Sequence, residues 1–228
     1  MAWRRDFVRS FLERDIPQLG VRVPALTLHR FWQMIAHYHG QVWNGAELAR
    51  AFGVAHSTVR HYLDILSGAL VVRQLAPWFE NLGKRQVRAQ KVYLADSGLL
   101  HALLGIEAQE ALEGHPKVGA SWEGFAIREI LRWLDVPQDQ CYFWATHAGA
   151  ELDLLIFKDR HRPGFEIKRT TTPRLTPAIR SALRDLRLDR LTIVHAGEHA
   201  FPMSEQIEAV PLAELVQRSP WEAGMLRG

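Results

Sequence analysis

Two acidic residues and an acid–lysine pair in the second half of the chain have the types and spacing of a hydrolytic site. Glu151 and Asp153 lie in one alternating apolar run, and Glu166 and Lys168 lie in the next. Side chains alternate between the two faces of a strand, so each pair shares a face. A hairpin closed over residues 158–161 sets Asp153 opposite Glu166. The sequence therefore predicts two carboxylates beside one ammonium group.

This grouping has the chemistry of a metal-dependent phosphodiesterase. Facing carboxylates repel each other unless a cation joins them, and hard oxygen ligands suit Mg²⁺ or Mn²⁺. A neighbouring lysine can help to deprotonate an attacking water and can stabilise charge on a phosphate. The predicted metal ligands are Asp153, Glu166 and Glu123, with Glu151 as a further candidate, and Lys168 acts with the first three in hydrolysis. The spacing alone also allows a solvated hairpin face with an ordinary Lys–Glu pair.

The elements around these residues predict a mixed sheet flanked by helices. Apolar periodicity indicates a helix over residues 121–134, capped by Ser121, and strands over 140–146, 150–157 and 165–169. A helix over 177–186, strands over 191–195 and 207–210, and a helix over 211–218 follow. This α-β-β-β-α-β order is typical of a mixed α/β fold.

A second pattern, over residues 44–67, is that of a helix-turn-helix. Asn44 caps a helix over 45–52, Gly53 makes a tight turn, and His56 or Ser57 caps a helix that begins at Thr58. The apolar positions of this second helix face inward. The side chains left outward, which are of types that reach base edges or phosphates in a major groove, are Ser57, Thr58, Arg60 and His61.

Two β-rich runs, 70–75 and 87–94, flank a basic stretch and complete a predicted winged helix-turn-helix. The candidate phosphate contacts on or near this wing are Lys84, Arg85, Arg88 and Lys91. Winged helices also serve as protein-interaction modules, which is the alternative interpretation. Before this segment, residues 3–20 and 24–40 predict two helices, the second of which buries Leu28, Phe31, Trp32, Ile35 and Ala36.

The distribution of charge along the chain indicates what kind of partner it binds. Residues 1–96 hold 13 Lys and Arg against seven Asp and Glu, a net charge of +6, whereas residues 97–228 carry −3. A basic domain joined to an acidic one suggests a polyanion such as DNA as partner. We expect domains over residues 1–106 and 120–228, joined by a polar linker over 107–119. Membrane association is not expected, because charged residues interrupt every apolar run well before about 18 residues.

Two further features concern location and nucleotides. Cys141 is the single cysteine, which excludes an internal disulfide and favours a cytoplasmic location. Gly83 and Lys84 are followed by Arg85 and not by Ser or Thr, so no phosphate loop is present and no ATP site is expected in this chain.

The acidic motif resembles the PD-(D/E)XK nuclease superfamily, through Glu123, Asp153 and the run Glu166-Ile167-Lys168. The wider chain resembles the C-terminal region of prokaryotic AAA-type ATPases. Residues 5–19, the winged helix, residues 91–100, Trp122-Glu123-Gly124-Phe125 and residues 151–168 carry that resemblance. It implies that the acids bind Mg²⁺, that Lys168 is catalytic, and that an ATPase core, which this chain lacks, precedes such a region.

Three functions remain compatible with these patterns. The first is a DNA-binding winged helix fused to a nuclease-like domain that hydrolyses nucleic acid with Mg²⁺ or Mn²⁺. The second is a non-enzymatic regulatory or interaction module of an ATPase, in which the acidic cluster serves only the structure. The third is a transcriptional regulator that acts through the winged helix.

Overall fold

The computed structural model describes residues 2–80, 86–158 and 161–220. The chain divides into two compact units, one of residues 1–74 and 91–124 and the other of residues 75–90 and 125–228. The predicted mixed α/β fold class is confirmed. No helix of the described ranges is both long and apolar enough to cross a membrane.

The first unit is mainly helical. Its helices are α1 (Ala2–Ser10), α2 (Ile16–Gln18), α3 (Ala25–His37), α4 (Gly45–Phe52), α5 (His56–Gly68), α6 (Ser97–Leu103), α7 (Gln109–Glu113) and the start of α8 (Val118–Leu134). A π-helical turn, Phe11–Asp15, lies between α1 and α2, where the sequence predicted one regular helix. All five residues expected in the core of the second predicted helix are fully buried on α3.

A small sheet completes this unit. Its strands are β1 (Gln41–Val42), β2 (Val72–Pro77) and β3 (Lys91–Leu94), and β3 lies between the other two. β1 and β3 are antiparallel, with Gln41 opposite Val92. The strand β2 continues beyond residue 74 into the second unit.

The second unit is built on a mixed sheet. Its strands, besides the end of β2, are β4 (Cys141–Ala145), β5 (Glu151–Ile156), β6 (Pro163–Lys168), β7 (Arg190–His195), β8 (Phe201–Pro202) and β9 (Ile207–Pro211). The spatial order is β2-β4-β5-β6-β7-β9-β8. The β4, β5 and β6 strands are antiparallel to each other, whereas β6, β7 and β9 are parallel. Helices α9 (Pro177–Asp185) and α10 (Leu212–Leu215) complete the α-β-β-β-α-β order that the sequence predicts.

The core of the second unit lies between this sheet and α9. Ile179, Ala182 and Leu186 belong to one buried cluster with residues of β5 and β7, and α9 itself packs mainly against β5. Gly164 of β6 fits this core because a Cβ there would come within 2.5 Å of the Leu188 side chain. This packing holds the sheet that contains β6, the strand that carries Glu166 and Lys168.

The compact units do not follow the predicted domain limits. The stretch predicted as a linker, 107–119, contains α7 and the first residues of α8, and it belongs to the first unit. The predicted cap of α8 is also wrong, since the helix begins three residues before Ser121. The Ser121 hydroxyl instead lies 2.8 Å from Nε2 of His101.

Candidate functional site

The β5–β6 hairpin has the register that the sequence predicts. Leu154 pairs with Phe165 and Leu155 pairs with Gly164, and the isolated bridge between Lys158 and His161 continues the same register toward the turn. One step the other way sets Asp153 at the strand position opposite Glu166. The recorded pairs end at Leu154 and Phe165, so the register agrees with the predicted placement of these two residues, and their direct pairing stays a prediction.

The two carboxylates are buried, and both have polar contacts within the hairpin. Asp153 and Glu166 are each 6% exposed. Oδ2 of Asp153 accepts a hydrogen bond of 2.8 Å from the backbone N–H of Ile167. Oε1 of Glu166 lies 2.6 Å from Nζ of Lys168, whose side chain is 47% exposed. A lysine that contacts a buried carboxylate and still reaches solvent can meet a bound phosphate.

The other two candidate acids occupy different surroundings. Glu151 begins β5, is half-buried, and pairs with Ala145 of β4. Glu123 lies on the part of α8 that belongs to the first unit, where Oε1 is 3.2 Å from Nζ of Lys91 and accepts a hydrogen bond from the hydroxyl of Tyr93. Its assignment as a metal ligand stays a prediction.

Metal binding by the hairpin has to rest on few protein ligands. Over residues 2–80, 86–158 and 161–220, no three His, Cys, Asp or Glu side chains are grouped closely enough to hold a metal ion. Mg²⁺ is commonly bound through only one or two carboxylates, with water and substrate phosphate filling the remaining positions. Asp153 and Glu166 fit such a site by their chemistry, since they are buried acids on neighbouring strand positions.

The helix-turn-helix segment is present as α4 and α5. Asn44 caps α4 by accepting a hydrogen bond of 3.2 Å from the backbone of Glu47, as predicted. Gly53 ends the helix at φ +71°, a left-handed conformation that favours glycine. The predicted cap of the second helix is wrong, because α5 already begins at His56 and Ala55 precedes it without a side-chain hydrogen bond.

Aromatic packing fixes this segment on the helix before it. The rings of Phe31, Phe52 and Tyr62, from α3, α4 and α5, contact one another with centroid distances of 5.4–6.1 Å. Val59, Leu63 and Leu66 form the buried face of α5, as the periodicity predicts.

The opposite face of α5 carries the four predicted DNA contacts. Ser57 and His61 are exposed, and Thr58 and Arg60 are half-buried. Nε of Arg60 lies 3.0 Å from Oδ1 of Asp64, one helical turn further on. The guanidinium is therefore already engaged with an acid on its own helix.

The region predicted as a wing is organised differently. The predicted arms correspond to β2 and β3, which are neighbours in the sheet, but the second arm begins only at Lys91. After Leu75, the chain joins the second unit: Ala76 pairs in parallel with Tyr142 of β4, and the backbone N–H of Trp78 donates to the carbonyl of Phe143 at 2.7 Å. The strand β2 therefore lies next to β3 in the sheet and, at Ala76 and Pro77, also pairs in parallel with β4.

The basic residues assigned to the wing have separate outcomes. Lys84 and Arg85 lie outside the described residues. Arg88 is exposed, in the part of the chain assigned to the second unit. Lys91 is 5% exposed and is paired with Glu123, so its assignment to phosphate contact is wrong.

The sequence reasoning missed a buried polar cluster around β3. Besides Lys91, Tyr93 and Glu123, it includes His39, whose Nδ1 accepts from the N–H of Leu94 at 2.9 Å and whose Nε2 lies 3.1 Å from the carbonyl of Ala120. Burial lowers the pKa of His39 to about 4, which keeps the ring neutral. The Lys-x-Tyr alternation in an otherwise apolar strand was the available signal for this cluster.

Comparison with known families gives two matches, neither of which names an activity. Residues 1–110 match a family described as Domain of unknown function (DUF8612). Residues 118–215 match a family described as Domain of unknown function (DUF4143). The break between the two matches, residues 111–117, lies inside the stretch predicted as a linker.

Two mycobacterial proteins are similar over most of the chain. The uncharacterized protein Mb2031c of Mycobacterium bovis and the uncharacterized protein Rv2008c of Mycobacterium tuberculosis are each 54% identical over 215 residues. The match covers 94% of this chain and 48% of each relative, so the chain spans about half the length of these curated relatives.

One solved structure shows a likeness. The transcriptional regulator PA3341 is 25% identical and aligns over 59% of this chain and 92% of its own, with a TM-score of 0.26. That score is too low to carry an argument about fold or function.

Proposed function

We propose that the second unit is a metal-dependent phosphodiesterase domain of the PD-(D/E)XK kind and that the first unit is a winged helix that binds DNA. The observation that carries the enzymatic part is the β5–β6 hairpin, where Asp153 and Glu166 are buried acids next to the paired residues Leu154 and Phe165, and Lys168 contacts Glu166. The α-β-β-β-α-β order of the second unit supports the same proposal.

In this proposal, Asp153 and Glu166 would hold Mg²⁺ or Mn²⁺, which would supply Lewis acidity to the site. The backbone N–H of Ile167 orients the Asp153 carboxylate by donating a hydrogen bond to its Oδ2. Lys168 holds its ammonium beside Glu166 and, because half of its side chain reaches solvent, stabilises charge on the scissile phosphate. Glu151, at the start of β5, is proposed as an additional acid.

The test is a nicking assay on supercoiled plasmid and on single-stranded DNA with millimolar Mn²⁺ or Mg²⁺. We expect the wild-type protein to cleave, and Lys168→Ala and Asp153→Asn to lose at least about a hundredfold in rate, the usual contribution of one electrostatic group. Glu110→Gln, in exposed α7, is the matched control and should cleave like the wild type. A wild-type protein without activity, or equal activity in all variants, contradicts the proposal.

A non-enzymatic role of the hairpin is the second candidate, and one observation favours it. The contacts of Asp153 and Glu166 described above are made inside the hairpin, as expected of acids that stabilise the fold. If Asp153→Asn lowers the melting temperature equally with and without Mn²⁺, and neither protein cleaves DNA, this regulatory or interaction role is the better account.

DNA binding is proposed through the exposed face of α5. Ser57, Thr58, Arg60 and His61 lie on its first two turns, and the aromatic contacts with α3 and α4 hold that face in place. The charge of +6 over residues 1–96 supports a polyanionic partner. Fluorescence anisotropy with a labelled duplex should show binding that weakens steeply with salt, because phosphate contacts release counterions. An affinity that does not change with salt concentration, or that is unchanged when Arg60 and His61 are replaced by Ala, contradicts the proposal that α5 binds DNA.

An ATPase core is proposed as the partner, on the resemblance described above. The relatives' greater length leaves room for such a part in them. The purified chain should not hydrolyse ATP by itself, which a phosphate-release assay measures. Hydrolysis by this chain alone would contradict the proposal that ATP is hydrolysed by a separate ATPase core.

A further inference from the structure

A half-open groove in the first unit is not used by the proposed DNA contacts or by the hairpin. It has a volume of about 420 Å³ and lies between α1, the π-helical turn, α3 and α6. Ligand pockets commonly measure about 300–1,000 Å³. Its floor is apolar, since Val8, Leu12 and Leu103 line it and are each at most 6% exposed.

The rim of the groove is mainly cationic. Arg5 and Arg9 lie on one side, His29 lies on the other, and Glu13 is the single acid of the lining. Arg5 is 3.2 Å from Glu107, and Arg9 is 3.9 Å from an acid on its own helix. Both pairs are more than half exposed, and such pairs contribute at most about 1 kcal/mol. The guanidinium groups can therefore exchange these partners for a bound anion.

The wall of the groove is held in place from behind. Trp3 and Phe7 of α1 and Phe11 of the π-helical turn stack in a row with centroid distances of 5.7 and 5.6 Å, and Phe11 packs on the fully buried Trp32. The face of α1 that carries Arg5 and Arg9 is therefore turned toward the groove. The π-helical turn supplies Leu12 to the floor, and single π turns in proteins frequently lie at functional sites.

We propose that this groove binds a small amphipathic anion, namely a carboxylate or sulfonate with a short apolar tail. The tail lies on the buried floor and against Leu26, an exposed leucine (64%) of the lining, and the anionic head contacts Arg5 and Arg9. Charge complementarity favours an anionic ligand. A cationic amphiphile would be repelled by the two guanidinium groups, and a neutral one would make no ionic contact with them.

The probes are anilinonaphthalene sulfonate, whose fluorescence rises in apolar sites, and octanoate as the competitor. We expect the wild-type protein to enhance the fluorescence and octanoate to reverse it. Octan-1-ol and octylamine should compete at least about tenfold more weakly, which corresponds to about 1.4 kcal/mol. No enhancement, or equal competition by the three compounds, overturns the proposal.

Variants locate the site. Arg5→Gln combined with Arg9→Gln should weaken octanoate binding about tenfold, and Ala102→Phe, which fills the groove from α6, should abolish it. Since a larger side chain at Ala102 can disturb folding, Leu26→Ser at an exposed rim position is the second probe and should lower the affinity. Arg180→Gln, at an exposed position of α9, is the control for lost positive charge. Unchanged binding in the double arginine variant, or in both Ala102→Phe and Leu26→Ser, places the probe elsewhere and overturns the proposal.

Discussion

Removal of the Lys91 ammonium should destabilise the first unit strongly. Nζ of Lys91 lies 3.2 Å from Oε1 of Glu123, and the two side chains are 6% and 19% exposed. Lys91→Met keeps the length of the side chain and removes its charge. The carboxylate of Glu123 is then left in a largely buried position with the hydroxyl of Tyr93 as a remaining donor.

The size of the effect follows from this burial. Breaking a buried ion pair by removal of one partner costs about 3–5 kcal/mol, because the remaining charge stays desolvated. The hydrogen bond from Tyr93 partly compensates Glu123, so we expect a loss of about 3 kcal/mol, at the lower end of that range. Glu123→Gln should lower the free energy of unfolding by a similar amount, since it leaves the buried Lys91 ammonium without its counter-ion. The double variant should recover much of the loss, because no buried charge is left without its counter-ion.

Urea unfolding of the four proteins, followed by far-ultraviolet circular dichroism, measures these free energies. Arg50→Met, at an exposed position on α4, is a control for loss of a cation in the same unit. A loss below about 1 kcal/mol for Lys91→Met is what an exposed pair would give. That result, or strictly additive effects in the double variant, would refute the reasoning.

Three further predictions concern pH, DNA and metal. The folded-state pKa of His39 is about 4, below the usual 6.5, so its neutral form stabilises the fold above pH 6.5, and about 3 kcal/mol should be lost as the pH falls toward 4. Urea unfolding at a series of pH values gives the slope of the unfolding free energy against pH. This slope should be smaller in His39→Asn and unchanged in His37→Gln, and an equal slope in the two variants contradicts the prediction. Asp64→Asn should strengthen duplex binding a few-fold by releasing Arg60 from its ion pair, and anisotropy that shows weaker binding argues against a phosphate contact. Mn²⁺ at about a hundredfold excess over its dissociation constant should stabilise the protein by about 2.7 kcal/mol, as seen in thermal melts, and a shift that persists in Asp153→Asn places the metal elsewhere.

Local patterns in the sequence determined several parts of this protein. The α4–α5 segment could be predicted because a cap at Asn44, a left-handed turn at Gly53 and a helical apolar period act over a few residues each. The register that sets Asp153 beside Glu166 could also be predicted, because a short antiparallel connection fixes which residues face each other.

Other parts were decided only by tertiary structure. The parallel pairing of Ala76 with Tyr142 has no local turn signal, so the chain after Leu75 could not be assigned to the second unit from its own sequence. Lys91 reads as a surface cation until Glu123, 32 residues later, is brought beside it. Whether a charged side chain is buried depends on a partner that is distant in the chain. The sequence by itself therefore determined the local elements. The tertiary structure decided which charged residues of these elements remain available for binding.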